Sequence, residues 1–182
     1  MFYVQLRLTP YALQGGAEWD DPDSYQSKAL RRVEEHALTS SVSDEKLVQY
    51  YALFAIYTAT NGVRNEFTDA DPIFDDLEPE DFPWLQSRGW SSNTVDPCPI
   101  PFPAITPFHG VICNDAGLVT DLELDQNGMT GHFPPEVTLL ASDGPRASGA
   151  GQLRKIELFR NEYLGNNRDT SWWPDLGSGL GT

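Results

Sequence analysis

Two kinds of hydrophobic spacing divide this chain. From Ser24 onward, Ala29, Leu30, Val33, Ala37 and Leu38 fall on one face of an amphipathic helix, with Asp23 or Ser24 placed to cap its start. A second helix is predicted to begin at Ser43, where Asp44 and Glu45 favour the first turn, and to stop at Asn61-Gly62. Its body, LVQYYALFAIYTAT, is apolar nearly all round, which predicts burial on most sides. Farther along the pattern becomes that of short strands. Val119, Leu122 and Leu124 precede Asn127, and Leu153, Ile156 and Leu158 precede Asn161 with identical internal spacing. Two copies of one spacing mark a repeated unit whose apolar positions are expected to point into a core.

Elsewhere the periodicity lapses. Residues 1–22 carry Pro10, Gly15, Gly16 and Pro22 among scattered aromatics, and read as an extended arm that must dock to be ordered. Residues 63–107 are rich in Pro, acid and Trp. The acids from Glu66 to Asp81 have no Lys or Arg among them, but Ile73 and Phe74 stand where a calcium loop needs an oxygen ligand and a Gly, so a solvated acidic loop is expected. Trp84, Leu85 and Trp90 are expected to plug the end of a core, with indole N–H groups reaching partners at its rim.

Composition narrows the function classes. A length of 182 residues, 40% of them hydrophobic, suits one domain or a small domain joined to part of a repeat array, and no apolar run is long enough to span a bilayer. The net charge of −15 argues against nucleic acid, whose phosphates would repel it, and for basic or neutral partners. The first residues show no signal-peptide pattern and no Asn begins an Asn-x-Ser/Thr sequon, which leaves the compartment open. Among the histidines, His36 is placed on a polar helix face, His109 before the first strand and His132 in a turn; no pair has the spacing of a metal helix or a nucleophile elbow. An enzyme is therefore not expected, nor a cofactor. Cys98 and Cys113 are open to three readings: a disulfide, free thiols, or a zinc site with His109 and Asp115 that lacks the close cysteine spacing of a strong signal.

Several of these stretches share one resemblance. LVQYYALFAIYTATNG, the Gly89-Trp90 pair, Pro97-Cys98 and the run FHGVIC over Phe108–Cys113 resemble the N-terminal cap of plant-type leucine-rich-repeat proteins. The following VTDLELDQNGMTGHFPPEV resembles that family's LxLxxNxLxGxIPxxL, with Gly131 and Pro134 in place, and the helical part with SDEKLVQYYAL is most similar to the version common among diatom proteins. Phe108 stands where the family has Trp, and the insert PIPFPAITP lengthens the loop between the cysteines. Asn127 and Asn161 are 34 residues apart. Repeats of the family run about 24, so about ten residues are inserted, and ASDGPRASGAG has the composition of such a surface loop.

Beyond the arm over 1–22, the resemblance implies an α/β fold: a helical cap with an acidic and Pro-rich loop over 23–116, and over 117–182 a short solenoid of parallel strands, with two repeats and a degenerate stub. Leu122, Leu124, Asn127, Ile156, Leu158 and Asn161 are then structural repeat positions. Cys98 and Cys113 form the cap disulfide, which implies an oxidising compartment, secreted or at the cell surface, with an organelle as the alternative. The outward strand positions, Asp121, Glu123, Asp125 and Gln126 on the first strand and Lys155, Glu157, Phe159 and Arg160 on the second, become the partner-binding face. Asp121 is expected beside Lys155, Gln126 beside Arg160, and Glu123 beside Glu157; the last is a like-charge pair that a basic group from a partner would relieve. Implied is a non-enzymatic binding or scaffold protein for another protein with a basic surface, without metal. The alternative is an accessory structural subunit clamped onto a large assembly, for example at an organellar membrane.

Overall fold

Helices come first in the chain and supply about half of its buried apolar residues. The computed structural model of the protein describes residues 2–36, 38–60, 84–100, 107–141, 151–161 and 163–164. Helix α1 spans Phe2–Leu8, α2 Tyr25–Glu35 and α3 Asp44–Ala59. Short 3₁₀ turns lie at Thr9–Tyr11, Ala17–Trp19 and Pro135–Leu140. The region expected as an extended arm is thus helical at its start. Val4 and Leu8, four residues apart and both buried, give α1 one apolar side, and Arg7 ties it to the start of α3 through Asp44 at 2.6 Å and the Val42 carbonyl at 2.9 Å.

Both longer helices begin at serine caps. Ser24 Oγ accepts from Ser27 N–H at 3.0 Å, and Ser43 Oγ from Lys46 N–H at 3.4 Å. Ala29, Leu30 and Val33 face inward from α2 as the spacing predicts, but the helix stops at Glu35, so Leu38 lies beyond it and half-buried. His36, expected on a polar face, is buried instead. Leaving the helix, it turns its ring onto Tyr50, 4.7 Å between centroids, with Nε2 3.2 Å from the Val95 carbonyl and Nδ1 accepting from Leu38 N–H. Every residue of α3 from Leu47 to Tyr57 is buried, including Gln49. The Gln49 amide donates to the Gly117 carbonyl at 3.1 Å and accepts from Val119 N–H at 2.8 Å, joining the central helix to the first long strand.

Five strands follow among the described residues: β1 (Val111–Cys113), β2 (Val119–Glu123), β3 (Thr130–Gly131), β4 (Gly151–Glu157) and β5 (Tyr163–Leu164). They form a three-stranded sheet in the order β1-β2-β4 and a two-residue parallel pair of β3 with β5. β2 is antiparallel to β1 and parallel to β4. The expected solenoid of parallel strands is therefore not the fold. Among the described residues one step along the chain sets β4 beside β2 and the two-residue β5 beside β3, an antiparallel strand occupies the other edge of β2, and helices rather than further coils cover the core.

Trp90 and Phe108 are fully buried, 5.3 Å apart, and Trp84 lies 4.8 Å from Trp90. Their indoles are satisfied as expected, Trp84 Nε1 by the Thr60 carbonyl at 2.9 Å and Trp90 Nε1 by the His109 carbonyl at 2.8 Å. Leu85 is the exception, 71% exposed. Gly89 has φ +84°, and a Cβ there would collide with the Pro107 carbonyl, which is why a glycine precedes Trp90. The acidic run, Asn61-Gly62, Ala37, the centre of the Pro-rich insert, the loop over 142–150 and the Trp-containing tail lie outside the described residues.

Candidate functional site

Two asparagines build the turn on which the candidate surface rests. Asn127 is wholly buried, its Oδ1 accepting from Gln86 N–H at 2.7 Å. Asn161, one step later, does more. Its Oδ1 accepts from Asn127 N–H at 3.0 Å and Met129 N–H at 3.1 Å, and its Nδ2 donates to the carbonyls of Leu124 at 2.7 Å and Leu158 at 3.0 Å. Gln126 and Arg160, the residues just before them, share the left-handed conformation at φ +51° and +59°. Leu122 and Leu124 are buried beneath this frame, while Ile156 and Leu158 are half-buried at the end of the core.

On the outer face, the parallel register sets Asp121 opposite Lys155 and Glu123 opposite Glu157. The ion pairs do not follow the register. Lys155 Nζ sits 2.9 Å from Glu123 Oε1 and 2.9 Å from Glu157 Oε1, so the chain itself supplies the cation between the two glutamates. These bonds raise the lysine's pKa. A partner's Lys or Arg is not needed there, which corrects the expected preference at the centre of the face. Asp121 is buried, accepts from Thr120 Oγ1 at 2.6 Å and has Arg154 at 3.6 Å. Sequence reasoning misses Arg154 because strict alternation turns it inward. The register irregularity opposite Val119 and Asp121 breaks that alternation and leaves Arg154 and Lys155 both outward.

The far end of the face is apolar and exposed. Asp125 Oδ1 accepts from Phe159 N–H at 2.6 Å, and Gln126 N–H donates to the Phe159 carbonyl at 2.9 Å, holding the turn after β4. Phe159 is 68% exposed, and the Arg160 guanidinium lies 5.2 Å from its ring centroid rather than on Gln126.

Two further clusters are buried. Cys98 and Cys113 form a disulfide, which removes the free-thiol and zinc readings. Lys46 Nζ reaches the Cys98 carbonyl at 2.5 Å and Asp96 at 3.3 Å, anchoring the bridge to the first turn of α3. Glu136, in the 3₁₀ turn packed on α3, has no exposed surface and accepts from Tyr25 Oη at 2.9 Å. Burial raises its carboxyl above the ordinary range, and Glu18 adds to this, while Tyr25 and Gln26 oppose it. The Tyr25 and Tyr51 phenols facing it are raised by burial and by the same carboxylate. With the folded value above the unfolded one, this contribution to stability is complete at acid pH, below the ordinary carboxylate range, and is lost as pH rises through the folded value. Urea unfolding across pH is expected to show Glu136→Gln equal to wild type in acid and increasingly more stable than it toward neutral pH; parallel profiles would rule this out.

A groove of about 530 Å³ between α1 and Gly15–Asp20 has Asp20 as its single charged lining residue and no acid, base and nucleophile in combination. Among the described residues no group of three or more His, Cys, Asp or Glu side chains is placed to hold a metal ion, and no helix is long and apolar enough to cross a membrane. No family model matches the chain, and neither a curated protein nor a solved structure is similar enough to be matched with it.

Proposed function

We propose that this chain is a non-enzymatic protein-binding module that meets its partner with the outer face of β2 and β4 and the turn that follows. The observation that carries this reading is Phe159, largely exposed on a turn braced by Asp125 and Asn161, with Arg160 against its ring. An ordered, amphipathic aromatic-arginine pair loses little side-chain freedom on binding and is the composition of interface hot spots. The Glu123, Lys155 and Glu157 cluster beside it has the character of a polar rim. A basic partner surface is favoured by the net charge of −15, rather than by repulsion within the face. Native affinity purification identifies the partner. Phe159→Ala is then expected to weaken its binding by about thirtyfold without altering the thermal melt; unchanged affinity would remove the surface from consideration.

A further inference from the structure

The open edge of β4 carries information that its outer face does not. β4 is the terminal strand of its sheet, and among the described residues nothing pairs with its free side. Leu124 N–H donates to the Glu157 carbonyl and Gln126 N–H to that of Phe159, so these backbone groups face β2. Because successive residues of a strand point their backbone groups to opposite sides, the N–H and C=O of Ile156 point to the open edge. Beneath that edge the side chains of Ile156 and Leu158 remain half-buried. An unpaired edge with apolar surface on one face is a template for another strand.

We infer that this edge pairs with the same edge of a second copy of the chain, antiparallel about a two-fold axis through Ile156. In that register the two Ile156 residues exchange a pair of backbone hydrogen bonds, and the flanking residues form the closer, non-hydrogen-bonded pairs. Lys155 of each copy then stands opposite Glu157 of the other, so each dimer has two unlike-charge cross-strand pairs. The neighbouring registers are disfavoured by the same residues. An axis through Lys155 sets two lysines face to face, and an axis through Glu157 sets two glutamates face to face. On the inner face the two half-buried Ile156 side chains stand opposite each other, and Leu158 of each copy lies diagonal to Ile156 of the other. The net charge of −15 opposes association, as does the excess of Arg154, Lys155 and Arg160 over Glu157 at an edge that meets itself, so the pairing rests on the backbone bonds and on the two Lys155–Glu157 pairs. The arrangement is isologous and closes on itself, so it stops at a dimer. It leaves Phe159 outward and does not rest on the partner-binding reading.

Sedimentation velocity of the purified full chain over a concentration series, at physiological ionic strength, tests this. Wild type is expected to dimerise reversibly. Lys155→Glu and Glu157→Lys each oppose like charges twice and are expected to raise the dissociation constant at least about tenfold, whereas the double variant K155E/E157K restores unlike pairs and returns toward wild type. Ile156→Pro, which removes the outward N–H at an edge where proline is tolerated, is expected to abolish the dimer while circular dichroism stays unchanged. A wild-type chain monomeric throughout, or a dimer indifferent to the charge exchange, would overturn the inference. Since no other protein is present, failure here leaves the Phe159 experiment unaffected.

Discussion

Replacing Asn161 by Ala is expected to lower the unfolding free energy by about 3–5 kcal/mol in urea denaturation. The amide gives two donors to the Leu124 and Leu158 carbonyls and accepts from the Asn127 and Met129 N–H groups, all around a buried side chain. Truncation leaves several buried backbone groups without partners, and each such loss costs about 1–3 kcal/mol. Asn161→Asp separates this account from a simple packing defect. It keeps the acceptor for the two N–H groups but sets a carboxylate against the two carbonyls, and is expected to be at least as damaging as Ala. A loss below about 1 kcal/mol for both variants would show that the turn is held by something else. Asn161 also braces the turn that presents Phe159, so the same variants are expected to weaken partner binding.

Removing the disulfide with Cys98→Ser and Cys113→Ser together should cost about 3 kcal/mol on the chain-entropy estimate for a closed loop of this length. For a chain of this size that corresponds to a fall of about 6–12 °C in melting temperature. The bridge does more than close a loop. It fastens β1, which ends at Cys113, to the first turn of α3 through Lys46 and the Cys98 carbonyl, and β1 in turn covers one edge of β2. The expected signature is therefore early hydrogen exchange at Val111–Cys113 in the double variant, with α3 still protected. Uniform loss of protection would mean that the bridge stabilises the whole chain without a local role.

Short-range information was readable from the residues alone. The two serine-capped helices, the inward face of α2 and the all-round burial of α3 follow from spacings of three and four residues and from side chains that cap their own turns. The matched spacing of Asn127 and Asn161 likewise marks two side chains that both bond backbone groups in the interior. The candidate face was legible only in part. Its outward positions follow from alternation, but Arg154 does not, because a register irregularity turns two consecutive residues outward.

By itself, then, the sequence determined where the two serine-capped helices begin, which positions are apolar and which amides are spaced to brace turns, because caps and periodicity act within one or two turns of chain, while the helix at Phe2–Leu8 was read as an extended arm. Only the tertiary structure decided the rest. Antiparallel β1 beside β2 replaced a run of parallel coils, and Gln49 became a bridge to the strands. His36 moved from an expected polar face into the core. The repulsion between Glu123 and Glu157 was cancelled by a lysine on the neighbouring strand. Each depends on which distant segments meet and in what register, and no local pattern carries that free energy.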